Sequence, residues 1–180
     1  MAGRNRGIRP AGLGTAVVLA LWVFPSTTLK SDALIGRATA VDGDTIEIHG
    51  KRVRLFGIDA AESDQLCRNE DSELYRCGQK ASNELATLLE GRLVHCVEVD
   101  RDRYKRAVSV CAVGALDIAE WLVKRGLALD WPRYSAGAYA EAQLEAKKHE
   151  RGIWAGSFKE PWTYRECRRA GGKPEACSED

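Results

Sequence analysis

Residues 36–60 alternate apolar and polar side chains between two turn signals, and this pattern restricts the fold more than any other. Arg37-Ala38-Thr39-Ala40-Val41 leads into Asp42-Gly43; Thr45-Ile46-Glu47-Ile48 alternates; His49-Gly50-Lys51 turns the chain again. Residues 52–58 alternate a third time. A period of two sends successive side chains to opposite faces, so these runs predict strands with one buried face. Residues 93–100 and 107–113 predict a hairpin centred between Arg103 and Tyr104. Three helices are expected. Residues 79–90 place Ala81, Leu85, Leu88 and Leu89 on one face and stop at Gly91. Residues 117–125 carry Ile118, Trp121 and Leu122, which predicts a core position for Trp121, and residues 138–151 end at Gly152. Strands, a helix, a hairpin, then helices is an α+β order around a small antiparallel sheet. Short sheets with glycine-marked bends close into barrels, whose mouths bind ligands.

A chain of 180 residues holds one domain plus short extensions, here 1–33, 36–156 and 157–180. The first extension reads as a secretory signal or N-terminal anchor. Arg4, Arg6 and Arg9 precede an apolar stretch from Ala11 to Phe24, shorter than the roughly 20 residues that span a bilayer. Small residues at Ser31-Asp32-Ala33 offer a cleavage site, after which no stable membrane span is expected. Six cysteines in an exported chain predict disulfides. Of about 15 possible pairings, local geometry favours Cys96 with Cys111, directly opposite in a symmetric hairpin, and then Cys67 with Cys77 and Cys167 with Cys177 as local staples. There is no C-x-x-C, and His49, His95 and His149 share no ligand spacing with a cysteine pair, so zinc is not expected. The tail from residue 157 is expected to brace the domain.

The formal charge of the whole chain is +1, from 27 basic and 26 acidic residues. Residues 1–33 hold four of the basic and one of the acidic residues, which leaves 23 against 25, a net of −2. Such a chain is no broad polyanion-binding platform, and any nucleic-acid contact must come from a local basic patch or a bound cation. The chemistry-bearing residues gather in Val41-Asp42-Gly43-Asp44-Thr45, in Arg54-Leu55-Phe56-Gly57-Ile58-Asp59-Ala60-Ala61-Glu62 and in Asp102-Arg103-Tyr104-Lys105-Arg106. Carboxylates that hold a hard cation, a spare carboxylate and two guanidiniums suit attack on a phosphodiester. Each residue alone has a plainer reading: Asp42 and Asp44 as turn formers, Arg54 as a surface ion pair with Glu62, the hairpin tip as solvated charge. Asp102 reads as structural, holding that tip.

Those three motifs, with a late helix ending Arg151-Gly152-Ile153-Trp154, resemble the staphylococcal nuclease (thermonuclease) family over roughly residues 36–156. The resemblance implies a five-stranded OB-fold barrel with three helices, and calcium-dependent cleavage of DNA and RNA to 3′-phosphate ends. By position it implies Asp44 and Asp59 as calcium ligands by side chain and Ala60 by its carbonyl. It implies Glu62 as general base, Arg54 and Arg106 as phosphate-binding arginines, and Tyr104 as a nucleotide contact. Lys105, where the family usually has glycine, adds a phosphate contact or demands a different backbone conformation. Ala60-Ala61 replaces a usual Thr-Pro or Ala-Pro, which would loosen the loop that aims Glu62. Trp131 and Tyr134 are candidate base-stacking residues.

One geometric question stays open in the sequence. Strand parity sets Arg54 opposite to Val53 and Leu55, so if those two fill the barrel a bulge or the barrel rim must bring Arg54 toward Asp44. The expected function is an exported, monomeric, calcium-dependent nuclease with nucleic acid as substrate and no obligate protein partner. The alternative is a non-catalytic OB-fold module that binds nucleic acid or a protein partner in the cell envelope, since fold alone does not give function.

Overall fold

The first two strands leave and rejoin each other through the Asp42-Gly43 turn. There the Val41 N–H donates to the Thr45 carbonyl (2.8 Å) and the Asp44 N–H to the Asp42 carboxylate (3.0 Å). This computed structural model describes Met1, Gly3 and residues 33–179. The expected signal segment therefore falls outside the described residues, apart from Met1, Gly3 and Ala33.

The strands are β1 (Leu34–Ala40), β2 (Thr45–Ile48), β3 (Lys51–Leu55), β4 (Ile58–Ala60), β5 (Leu66–Arg68) and β6 (Leu74–Arg76). After helix α1 (Cys77–Leu89) come β7 (Leu93–Arg101), β8 (Ala107–Val113) and β9 (Leu116–Asp117). Helix α2 (Ile118–Lys124), β10 (Ala128–Asp130), α3 (Pro132–Ser135), α4 (Ala140–Lys148), a 3₁₀ turn (Gly152–Ala155), α5 (Pro161–Arg169) and α6 (Pro174–Ser178) complete the chain. The main sheet runs β3-β2-β1-β7-β8-β9, and a parallel β3–β8 pairing closes five of these strands into a barrel. The β2–β3 turn is tight because His49 and Gly50 both take positive φ (51° and 74°), the conformation that a two-residue hairpin turn requires.

Alternation fills the barrel as the sequence predicts. Ile46, Ile48, Val53, Leu55 and Val94 are essentially inaccessible, and α1 and α2 add Leu85, Leu89, Ile118 and Leu122. Trp121 packs partly buried against this core. Arg54, between Val53 and Leu55, lies on the outer face of β3.

All three disulfides pair as expected: Cys67–Cys77, Cys96–Cys111 and Cys167–Cys177. Cys96 and Cys111 are direct partners in the β7–β8 register. The bridge closes a span of 15 residues, and in the chain-entropy model such a loop is worth about 3 kcal/mol. Replacing both cysteines by alanine should lower unfolding stability by about that amount in urea; an unchanged midpoint would show that the hairpin needs no staple.

Two regions are more ordered than the sequence predicts. The segment between Cys67 and Cys77, for which the sequence shows no strand pattern, contains the β5–β6 hairpin, whose turn the Asn69 side chain organises by accepting from the Asp71 and Glu73 amides (3.1 and 2.7 Å). The tail is helical, with Pro161 and Pro174 each opening a helix at the first turn, where a missing N–H costs nothing. It docks on the β5 region through a second apolar cluster of Ala61, Cys67, Cys77, Leu129 and Ile153, with Trp154, Phe158 and Trp162 packed on it. Among the described residues, no helix is long and apolar enough to cross a membrane.

Candidate active site

Asp44 is the last residue of the turn before β2, and every part of it is held. Its carbonyl accepts from the Leu55 amide (2.8 Å), its Oδ1 from the Thr45 hydroxyl (3.1 Å) and its Oδ2 from the Ala60 amide (3.2 Å). Asp59 sits at the centre of β4, opposite Leu129 of β10, and is fully buried. Arg54 joins the two: its Nη2 lies 3.0 Å from Asp44 Oδ2 and 2.9 Å from Asp59 Oδ1. No bulge in β3 is needed. The carboxylates come to the outer face of the barrel at its rim, where the parity of Arg54 already points. The bulge that does occur is in β7, between Glu98 and Asp100.

Burial raises the Asp44 pKa above the usual carboxylate value, with the neighbouring Asp59 charge adding to the rise and the Arg54 guanidinium opposing it. Asp59 is raised by burial in the same way, against the pull of two arginines. Burial alone would lower Arg54, but the charges of Asp44 and Asp59 prevail and raise it. Two buried carboxylates this close favour a cation beside them, and Arg54 supplies one.

Glu62 follows β4 with its side chain 40% exposed. Its loop is clamped without the expected proline. Buried Gln65 accepts from the Glu62 amide through its side chain (3.2 Å), donates to the Glu62 carbonyl through its own amide (2.9 Å), and reaches the Lys159 carbonyl in the tail (2.6 Å). A Cβ at Gly78, in the first turn of α1, would overlap the Glu62 carbonyl, so only glycine allows α1 this close.

At the β7–β8 tip, Asp102 organises the turn. Its Oδ1 accepts from the Tyr104 and Arg106 amides (2.9 Å each) and its Oδ2 from Arg106 Nε (2.7 Å). The terminal nitrogens of Arg106 make no hydrogen bond to protein among the described residues. Tyr104 is 65% exposed, with the Arg103 and Arg106 guanidiniums 4.9 and 5.5 Å from its ring. Lys105 takes a left-handed backbone (φ 63°), the different conformation that its side chain makes less favourable than glycine would. Burial raises the Asp102 pKa, but hydrogen bonds from the Arg106 side chain and the tip amides, with the Arg106 charge, together outweigh it and hold it below 3.8. A lowered folded value adds stability above the unfolded pKa, lost as pH falls through the folded one. Asp102→Ala should cost about 1–2 kcal/mol at pH 7, and the cost should shrink as urea titrations move below the unfolded value of 3.8. A cost independent of pH would contradict the role of the charge.

These elements border one cleft of about 580 Å³. Asp44, Arg54, Ala60, Glu62, Tyr104, Arg106, Trp131 and Tyr134 all line it. Asp59 lies beneath the two arginines that cover it, and Lys105 is outside the lining.

Residues 52–156 match the family described as Staphylococcal nuclease homologue. The chain belongs to the staphylococcal nuclease family. Arg54, Asp59, Glu62 and Arg106 fall inside the match, and Asp44 precedes it. The succinoglycan biosynthesis protein ExoI of Rhizobium meliloti (strain 1021) is 38% identical over 161 residues, covering 85% of this chain and 84% of that protein. The Staphylococcal-like nuclease CAN1 of Arabidopsis thaliana is 32% identical over 122 residues, 67% of this chain and 35% of its own length. A probable staphylococcal-like nuclease CAN1 of Oryza sativa subsp. japonica is 28% identical over 131 residues, 72% of this chain and 37% of its own. The chain thus spans about a third of the plant nucleases.

In this staphylococcal nuclease homologue the tail enters the site, which the sequence reading missed. Arg165 of α5 binds Asp59 with two nitrogens (2.9 and 2.6 Å) and Glu62 with one (2.9 Å). Its guanidinium lies 5.5 Å from the Trp131 ring, and Trp131 stacks on Trp162 (5.8 Å, 17°). Trp162, Arg165 and Arg169 all line the cleft. A signal was present: they recur at i, i+3 and i+7 behind a helix-opening proline. Stacking on Trp162 covers one face of Trp131, whereas Tyr134 is 51% exposed.

Calcium fits this donor set in kind, because Asp44, Asp59 and the Ala60 carbonyl present only oxygen. Both Asp59 oxygens nevertheless already bind guanidinium, and among the described residues no three His, Cys, Asp or Glu side chains converge as a ready metal cage.

Proposed function

We propose that the chain is an exported, calcium-dependent phosphodiesterase that hydrolyses DNA, RNA or both with little sequence preference, leaving 3′-phosphate ends, and that it works as a monomer. The observation that carries this reading is one nitrogen of Arg54 bridging Asp44 and Asp59 beside a cleft that Glu62 and Arg106 also line. The family membership and the relatives named as nucleases support the reaction class. Three disulfides support export.

Asp44, Asp59 and the Ala60 carbonyl would hold the cation. Bound there, calcium neutralises charge that builds on the phosphoryl oxygens. The other roles belong to the chain. Glu62 takes a proton from the attacking water, or orients it. Arg106, steered through Nε by Asp102, offers its terminal nitrogens to the phosphate, and Arg54 supplies fixed charge beside it. Tyr104 and Tyr134 present exposed rings to the cleft for bases to stack on, with Trp131 edge-to-face against Tyr134.

A second reading is the non-catalytic module of the cell envelope. It draws on Arg165 seated across Asp59 and Glu62, and on the relative named for succinoglycan biosynthesis. Incubating the protein with DNA and with RNA, in calcium and then in chelator, separates the two. Calcium-dependent shortening of either polymer is expected; binding without shortening in all four conditions favours the module.

A further inference from the structure

Arg165 stands 106 residues after Asp59 in the chain, yet it satisfies both oxygens of that buried carboxylate and one oxygen of Glu62. Nothing about this placement is loose. Two residues on, Cys167 is bridged to Cys177, tying α5 to α6. One residue before, the buried Tyr164 donates its hydroxyl to Asp64 (2.9 Å), in the same loop as Glu62. Trp162 lies flat on Trp131, and the Ser178 hydroxyl accepts from the Leu66 amide (3.0 Å). The tail is thus fixed to the loop and sheet that carry the acidic side chains, and it delivers one cation onto them.

The cation is also where a metal would have to act. Asp59 has two oxygens; Arg54 and Arg165 share Oδ1, and Arg165 alone takes Oδ2. Arg54 leaves Asp59 Oδ2 open; Arg165 does not. A guanidinium and a divalent ion cannot occupy the same side of one carboxylate, and a guanidinium within about 4–6 Å already weakens a carboxylate's hold on a proton by roughly 1–3 logarithmic units, an effect of the same sign on its hold on a metal ion.

We propose that Arg165 is a built-in cation that competes with the divalent ion for Asp59, so that helix α5 sets the affinity of the site for metal. Without metal, Arg165 balances the charge of Asp59 and Glu62. With metal, it gives up Asp59 Oδ2 and turns into the cleft, where Arg169 already lines the wall. The inference rests on the reading of Asp44 and Asp59 as calcium ligands, but not on the polymer cut.

The test is calcium binding by titration calorimetry, in the absence of nucleic acid, on the whole chain and three variants. Arg165→Gln should bind calcium at least about tenfold more tightly than the parent chain. Arg165→Lys, which keeps the charge but cannot span Asp59 with two nitrogens, should fall between them; it carries the test alone if Arg165→Gln fails to fold by circular dichroism. Arg168→Gln removes an equal charge from the same helix but from the side facing Asp64, and should leave the affinity unchanged. Equal affinities in the parent and both Arg165 variants, weaker binding in those variants, an equal gain in Arg168→Gln, or no calcium binding by any form would overturn the proposal. Loss of the nuclease reading looks different: calcium binds as described, and no polymer is cut.

Discussion

Glu62→Gln should lower nucleic-acid cleavage by about 10²–10⁴-fold while leaving the fold intact. The substitution keeps the shape of the side chain and an oxygen that can accept from Arg165 Nη1, but removes the ability to take a proton. Its structural cost is small because the Glu62 side chain is 40% exposed and its loop is held by other groups. Gln65 clamps the Glu62 main chain from both sides, and α1 approaches through Gly78. Initial rates on a labelled oligonucleotide, with the urea midpoint measured alongside, check both halves. A variant that cuts as fast as the parent would remove the proton-handling role from Glu62. A variant that is slow because it is unfolded would instead place Glu62 in the structural network.

Asp59→Ala should be the most destabilising single change at the site, by about 3–5 kcal/mol in urea unfolding. The reason is the guanidiniums it would orphan rather than the bonds it makes. Asp59 is fully buried and accepts from Arg54 Nη2 and from both terminal nitrogens of Arg165. Without it, two part-buried guanidiniums share a site that has lost its central carboxylate, with Asp44 left as the counter-charge for Arg54 and Glu62 for Arg165. Removing Arg165 as well should recover part of the loss, since the second change removes the charge left unpaired; the two substitutions are in contact and should not add. A loss under about 1 kcal/mol in the single variant would mean that Asp59 behaves as a solvated surface charge.

Much of this arrangement is legible in the chain because local physics decides it. Three alternating runs around Asp42-Gly43 and His49-Gly50 admit few registers, since a slip of one residue would turn Ile46, Ile48, Val53 and Leu55 out to solvent. The same parity places Arg54 outside the barrel, where it meets Asp44 and Asp59. Cys96 and Cys111 face one another in the register that the sequence predicts, and the β7 bulge shifts the pairing by one residue only nearer the tip. Less could be read where pairing is short or distant. The strands β5 and β6 have three residues each, too few to show a period, and bonds to the Asn69 side chain hold their turn. The contact of Arg165 with Asp59 spans 106 residues, and no local pattern encodes it. Only the spacing of Trp162, Arg165 and Arg169 hints that α5 has a face to present. The missing proline at Ala61 is likewise offset from afar, by Gln65 reaching the Lys159 carbonyl.

The length and end chemistry of a labelled single-stranded oligonucleotide, after incubation with the chain in calcium and in chelator, bear most directly on whether this cleft cuts phosphodiesters. Fragments ending in 3′-phosphate in calcium, and intact oligonucleotide in chelator, are the expected result. Oligonucleotide that is bound but whole in calcium would contradict it, and so would fragments formed equally fast in chelator.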